Sequence, residues 1–159
     1  MARHSPKKSE SAGATLPRSL QIAYSLAALV ALAGIADATY LTVQSLTGET
    51  LVCGGSADCS KVLGSAWAHI GPLPLAGLGA LGYFAAFSFA TFCAFGYRRL
   101  RIFFASTVWL MFAAAIGLLC VQAFILHAFC RYCLFSAATT FLLTGILVAT
   151  TPTEPPRSC

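Results

Sequence analysis

The sequence predicts an all-α integral membrane protein: a bundle of four transmembrane helices with a short amphipathic helix in its first outer loop. Three observations carry the prediction. Hydrophobic residues make up 58% of the chain and charged residues 9%, where a soluble domain carries about 25% charged residues; the mean hydropathy is +0.78. Four apolar runs each reach the roughly 20 residues that a helix needs to cross hydrocarbon. The basic residues gather beside alternate ends of those runs, as they do in an oriented membrane protein. These features argue against a soluble enzyme. The net charge of +5 reports topology, and no nucleic-acid partner is expected. A chain of 159 residues has room for one domain of four spans and little else.

Residues 1–19 hold Arg3, Lys7, Lys8 and Arg18 among Ser5, Pro6, Ser9, Ser11 and Gly13, and read as a disordered basic tail. The first apolar run extends from Leu20 to Leu46, with Asp37 as its one charged residue. Ala36-Asp37-Ala38 resembles a signal-peptide cleavage site. Apolar character nevertheless continues through Tyr40, Leu41 and Val43, so the run reads as a retained span. Residues 47–72 form the long polar connection. Within it Val62, Leu63, Ala66, Trp67 and Ile70 share one face at helical spacing, Ser60 can cap the start, and Gly71-Pro72 closes the run. This predicts an amphipathic helix over 60–70, lying in the interface as a lid.

The second span runs from Leu73 to Phe95 without a charge, and Gly77, Gly79 and Gly82 point to close helix packing. Tyr97-Arg98-Arg99-Leu100-Arg101 is a tight basic turn. The third span covers Ile102 to Leu126. A short link through residues 127–132 leads into the fourth, which ends near Thr150. Residues 151–159, with Pro152, Pro155 and Pro156, read as a second disordered tail. Residues 20–150 are thus the membrane domain, surrounded by lipid.

Four spans place both termini and the turn at Arg98 to Arg101 on one side. That side collects Arg3, Lys7, Lys8, Arg18, Arg98, Arg99, Arg101 and Arg157, leaving only Lys61 and Arg131 on the other. By the positive-inside rule the first side is cytoplasmic. The long loop and the Cys130-Arg131-Tyr132-Cys133 motif therefore face outward together.

The chain has seven cysteines. Cys53 and Cys59 sit in the glycine-containing loop, and Cys130 and Cys133 begin the fourth span. The outward face is the side that permits disulfides. One mobile pair beside one pair fixed at the hydrocarbon edge suits a relay, in which a thiolate attacks a neighbouring disulfide and passes two electrons along. The loop pair can reach a soluble partner; the helix pair can reach a lipid-soluble carrier, for which a membrane quinone is the natural candidate. Two static disulfides would use the same residues, and so would a four-cysteine zinc site, although five intervening residues in the first pair are loose for zinc. Covalent haem attachment requires His after the second cysteine, and Leu134 stands there.

The chain resembles the vitamin K epoxide reductase family in its bacterial branch. The resemblance rests on Cys53-x5-Cys59, Ser60-Lys61-Val62-Leu63-Gly64-Ser65, Pro72-Leu73-Pro74-Leu75 and Cys130-Arg131-Tyr132-Cys133, and covers residues 20–150. It implies that Cys133 is the quinone-proximal thiol. Cys130 would exchange with the loop through a transient disulfide to Cys59, and Cys53 would be attacked by a thioredoxin-like partner. Ser65 would be the hydroxyl residue that supports the site by hydrogen bonding. The quinone would be of ubiquinone or menaquinone/phylloquinone type. The implied setting is a bacterial inner membrane, and the implied result is disulfide formation in exported proteins. Many bacterial relatives carry a fused thioredoxin-like domain; here the expected partner is a separate extracytoplasmic oxidoreductase. Animal enzymes carry a tyrosine one helical turn after the second cysteine, where this chain has Ala137. That departure favours a quinone over vitamin K epoxide. The disulfide-bond protein B family performs similar chemistry with the two cysteine pairs in the reverse order.

Asp37 lies inside a span, where an ionisable group is costly; a structural hydrogen bond and a proton path are its two readings. His69 and His127 at the outer boundary read as interfacial anchors or as proton-transfer aids. Tyr132 and Trp67 suit an interface belt, Cys93 and Cys120 suit apolar packing, and Cys159 reads as a free tail thiol. A non-catalytic scaffold with static outer disulfides or a structural metal is the alternative of a different class. No metal is expected.

Overall fold

The computed structural model describes residues 17–47, 61–62, 65, 69–70 and 73–151. Helix α1 spans Arg18–Thr47, α2 spans Leu75–Ala94, α3 spans Arg101–Cys120 and α4 spans Arg131–Thr150. The third helix continues as a π-helical segment, Val121–Leu126. All four are long and apolar enough to cross a membrane, since 20 residues at about 1.5 Å each match a hydrocarbon layer of about 30 Å. Leu29, Leu110 and Phe124 are 63%, 73% and 77% exposed. A surface of such side chains fits lipid.

Only part of the first loop falls within the described residues. Lys61 and Val62 are helical, whereas His69–Ile70 is a strand, β1, paired antiparallel with Leu73–Pro74, β2. The helix predicted over 60–70 therefore does not continue to Ile70. Pro74 disfavours helical geometry in Leu73, and the antiparallel pairing of Leu73–Pro74 with His69–Ile70 keeps both segments extended. Trp67, Cys53, Cys59, Cys159 and residues 1–16 and 152–159 lie outside the described residues, while Arg18 and Ser19 of the predicted first tail already belong to α1.

The closest packing is between α1 and α2. On α1 the buried positions Leu20, Tyr24, Ala27, Ala31, Gly34, Ala38 and Leu41 recur at spacings of three and four, so one stripe of mostly small residues faces the bundle. Tyr83, Ala86, Ala90 and Cys93 of α2 meet it. Small side chains let two backbones approach, which replaces the hydrophobic drive that lipid removes. At Gly34 a Cβ would collide with the Tyr83 ring, so glycine is required for that ring to lie across α1. Tyr24 packs edge-on against Phe104 of α3, centroids 6.0 Å apart, while Leu143 and Leu147 of α4 close the same core. The α4 threonines return their hydroxyls to carbonyls one turn back, as Thr139 does to Phe135 at 2.8 Å and Thr144 to Thr140 at 2.9 Å. In lipid such bonds satisfy groups that water cannot reach.

The turn joining α2 to α3 is a Schellman motif. Gly96 adopts φ 97, its N–H donates to Cys93 O at 3.0 Å, and the Tyr97 N–H donates to Phe92 O at 3.1 Å. The Phe92 and Tyr97 rings meet edge-on, supplying the apolar contact that accompanies this cap. A 3-10 turn, Arg98–Leu100, then leads into α3.

Candidate active site at the dithiol end of the bundle

At the opposite end, the link from the third helix to the fourth is irregular. The π-segment Val121–Leu126 stops at His127, whose φ of 46 is left-handed and the only positive φ of a non-glycine among the described residues. The Ala128 N–H folds back to Gln122 O at 3.3 Å. The chain is extended at Cys130 (φ −86, ψ 119), which occupies the N-cap of α4. The first backbone bond of that helix runs from the Leu134 N–H to Cys130 O at 2.9 Å. A two-residue spacing from an N-cap cysteine puts Cys133 in the first turn, close to the same helix end.

Two side chains set the surroundings of the pair. Gln122 is buried, and its Oε1 accepts the Cys130 backbone N–H at 3.1 Å. Val62 of the loop packs with Ala128 and Cys130 in a small cluster that Leu126, Tyr132 and Cys133 complete. Both cysteines are in the thiol form, but they are not equivalent. Cys130 is fully buried against the loop, while Cys133 is partly exposed and lines an apolar cavity. The Cys133 thiol hydrogen-bonds the Cys130 sulfur. With the backbone N–H groups of Cys133 and Tyr132 it holds the Cys130 thiol below the usual range, against burial and the charge of Asp37. A helix N-terminus that presents N–H groups to sulfur favours the thiolate, the form that attacks disulfides.

The cavity, about 130 Å³ and partly open, is bounded by all four helices and the loop. A cavity of about 150 Å³ holds one benzene ring, so this one encloses one ring of a planar molecule, the rest of which leaves through the open side. Leu41, Leu75, Leu118 and Leu126 contribute apolar walls, and Ser45, Ser65, Gln122, Cys133 and Ser136 contribute polar ones. Ser65 lies on the wall, and its hydroxyl donates to Val62 O at 2.7 Å, a bond within its own turn. Ala137 also lines the cavity, so the methyl group there leaves room that a larger residue would occupy. Behind the wall, the Tyr83 hydroxyl donates to Ser136 O at 2.6 Å and meets Ser136 Oγ at 3.0 Å and Thr140 Oγ1 at 2.8 Å.

Asp37 stands near enough to act electrostatically on Cys130, Cys133 and Tyr83. Its Oδ2 is buried without a hydrogen-bond partner among the described residues. At the rim, the Tyr40 and Tyr132 rings lie 5.3 Å apart and the Arg131 guanidinium sits 5.6 Å from the Tyr132 centroid. No metal-suited group of His, Cys, Asp or Glu occurs among the described residues.

Gln122 is the residue that sequence reading passed over. The available signal was its polarity inside a span, where polar side chains are rare and functional by default. Ser136 and Tyr83 offered no such signal, because a single hydroxyl is an ordinary residue in a membrane helix.

The chain matches the vitamin K epoxide reductase family over residues 25–148, from the first turns of α1 to the last of α4. Comparison with curated proteins gives no match.

Proposed function

The chain belongs to the vitamin K epoxide reductase family, a membrane oxidoreductase family, and on that premise we propose that it oxidises a thioredoxin-like dithiol and delivers the electrons to a membrane quinone. The electrons enter at Cys53 and Cys59, pass by thiol–disulfide exchange to Cys130 and Cys133, and leave for a quinone of ubiquinone or menaquinone type. The donor is a separate extracytoplasmic thioredoxin-like protein, and its oxidised form introduces disulfides into exported proteins. Cys130 takes the exchange with the loop, Cys133 faces the quinone ring, and Ser65 supports the cavity. The outer face of a bacterial cell membrane is the setting.

One observation supports the division of labour above the others: the two thiols of one motif have different neighbours. A buried, activated sulfur against the loop suits exchange, and a sulfur on the wall of a ring-sized apolar cavity suits a lipid-soluble acceptor. With the full-length protein, a reduced thioredoxin-like dithiol should reduce a short-chain quinone, and Cys133→Ala should abolish turnover. Unchanged turnover in that variant would overturn the assignment. Parallel assays with ubiquinone and menaquinone analogues identify the acceptor.

A further inference from the structure

The polar side chains on the cavity wall differ in whether they have a proton left to donate. Ser45 Oγ donates to Thr42 O at 2.8 Å and Ser65 Oγ to Val62 O at 2.7 Å. The Tyr83 hydroxyl donates to Ser136 O, so the 3.0 Å contact between Tyr83 and Ser136 Oγ is donated by the serine. The Cys133 thiol is turned to Cys130. Gln122 is the exception. Only 3% of it is exposed, its Oε1 is held by the Cys130 N–H at 3.1 Å, and its Nε2 donates to no described residue. The Cys130 bond also settles which end of the amide is which, because an N–H needs the oxygen. The amide nitrogen therefore keeps its protons for a ligand, and Gln122 lies on the cavity wall, which is where such a partner would stand.

We propose that the Gln122 Nε2 amide is the hydrogen-bond donor for a carbonyl oxygen of the quinone, so that one side chain holds both Cys130 and the electron acceptor. The inference deepens the proposed function and rests on its quinone reading. In the terminal step the two S–H bonds of Cys130 and Cys133 break and one S–S bond forms. The two electrons and two protons released convert the quinone to its hydroquinone, each carbonyl becoming a hydroxyl. Negative charge grows on the ring oxygens as electrons arrive. An N–H already fixed in place stabilises that charge without reorganisation. Because the same amide is anchored on the Cys130 backbone, the donor keeps its position relative to the dithiol as α4 moves.

The test separates hydrogen bonding from packing. Isothermal titration calorimetry is run on detergent-solubilised full-length protein carrying Cys133→Ser, with methylnaphthoquinone and with methylnaphthalene, a ring of nearly the same shape without carbonyls. With Gln122 present, the quinone should bind about tenfold more tightly than the carbonyl-free ring, the scale of one buried hydrogen bond. Adding Gln122→Leu should reduce that preference to near unity while the carbonyl-free ring binds as before. If Gln122→Leu weakens both ligands equally, or leaves the preference intact, the proposal is overturned. Should the leucine variant bind neither ring, Gln122→Met, closer in shape, repeats the comparison under the same criteria. Failure of the Gln122 protein to bind either methylnaphthoquinone or a short-chain ubiquinone would overturn the quinone reading itself, and this inference with it.

Discussion

The two ends of the bundle are built from the same apolar alphabet and come out opposite. At the basic end, Tyr24, Ala27, Ala86, Ala90, Phe104 and Leu143 interlock, and the turn into α3 follows a regular capping motif. At the dithiol end the third helix loosens into a π-segment, His127 takes a left-handed backbone, and a cavity remains between all four helices. Asp37 Oδ2 and Gln44 Oε1, buried without partners among the described residues, both belong to the half of α1 nearer that end. One end is built for cohesion. The other holds open the space and the unsatisfied groups that chemistry needs, which is why the closely packed end must supply the stability.

Truncating the packed end should give the largest effect. Phe104→Ala leaves a ring-sized void beneath Tyr24. In lipid the transfer contribution largely cancels while the void remains, so a loss of roughly 2–3 kcal/mol is expected. Thermal melting in detergent checks this, with methylnaphthoquinone affinity expected within about twofold of the parent. A matching loss of affinity would show that the two ends are coupled.

Filling the other end should do the reverse. Ala137→Phe pushes a ring into the cavity, and about a tenfold fall in quinone affinity is expected with a change in melting of less than about 1 kcal/mol. Undiminished affinity would mean that the ring binds elsewhere.

The smallest effect is a pH dependence carried by Cys130. Its thiol is held below the usual range of about 8.5. A group depressed on folding contributes stability above its unfolded value and loses it as pH falls through the folded one. Melting of the dithiol form should therefore drop as pH is lowered from about 9 toward neutrality, and Cys130→Ser should flatten that slope. An identical slope in the variant would place the titration elsewhere.

Much of the fold was legible in the chain. Four runs of apolar residues had to be helices once lipid was their solvent, because no other spanning element pairs its own backbone groups without a partner strand. Tyr97-Arg98-Arg99-Leu100-Arg101 marked the turn between α2 and α3, and the Cys130-x-x-Cys133 spacing marked the dithiol. The predicted lid helix erred at its end, where pairing with Leu73–Pro74 holds His69–Ile70 extended, a contact that helical periodicity does not register. Gln122 was hidden for another reason. Its bond to Cys130 joins residues eight apart across a π-segment and a left-handed turn, a path with no repeating pattern for sequence to display.

By itself the sequence determined which segments are helical and apolar enough to span, which ends carry positive charge, and which cysteines share a helix start. Those properties depend on each residue's own affinity for water or lipid, and can be added along the chain. Only the tertiary structure decided that Cys130 is enclosed while Cys133 meets a cavity, and that Gln122 reaches both. A cavity is the space that four helices fail to fill together, and no one of them encodes it alone.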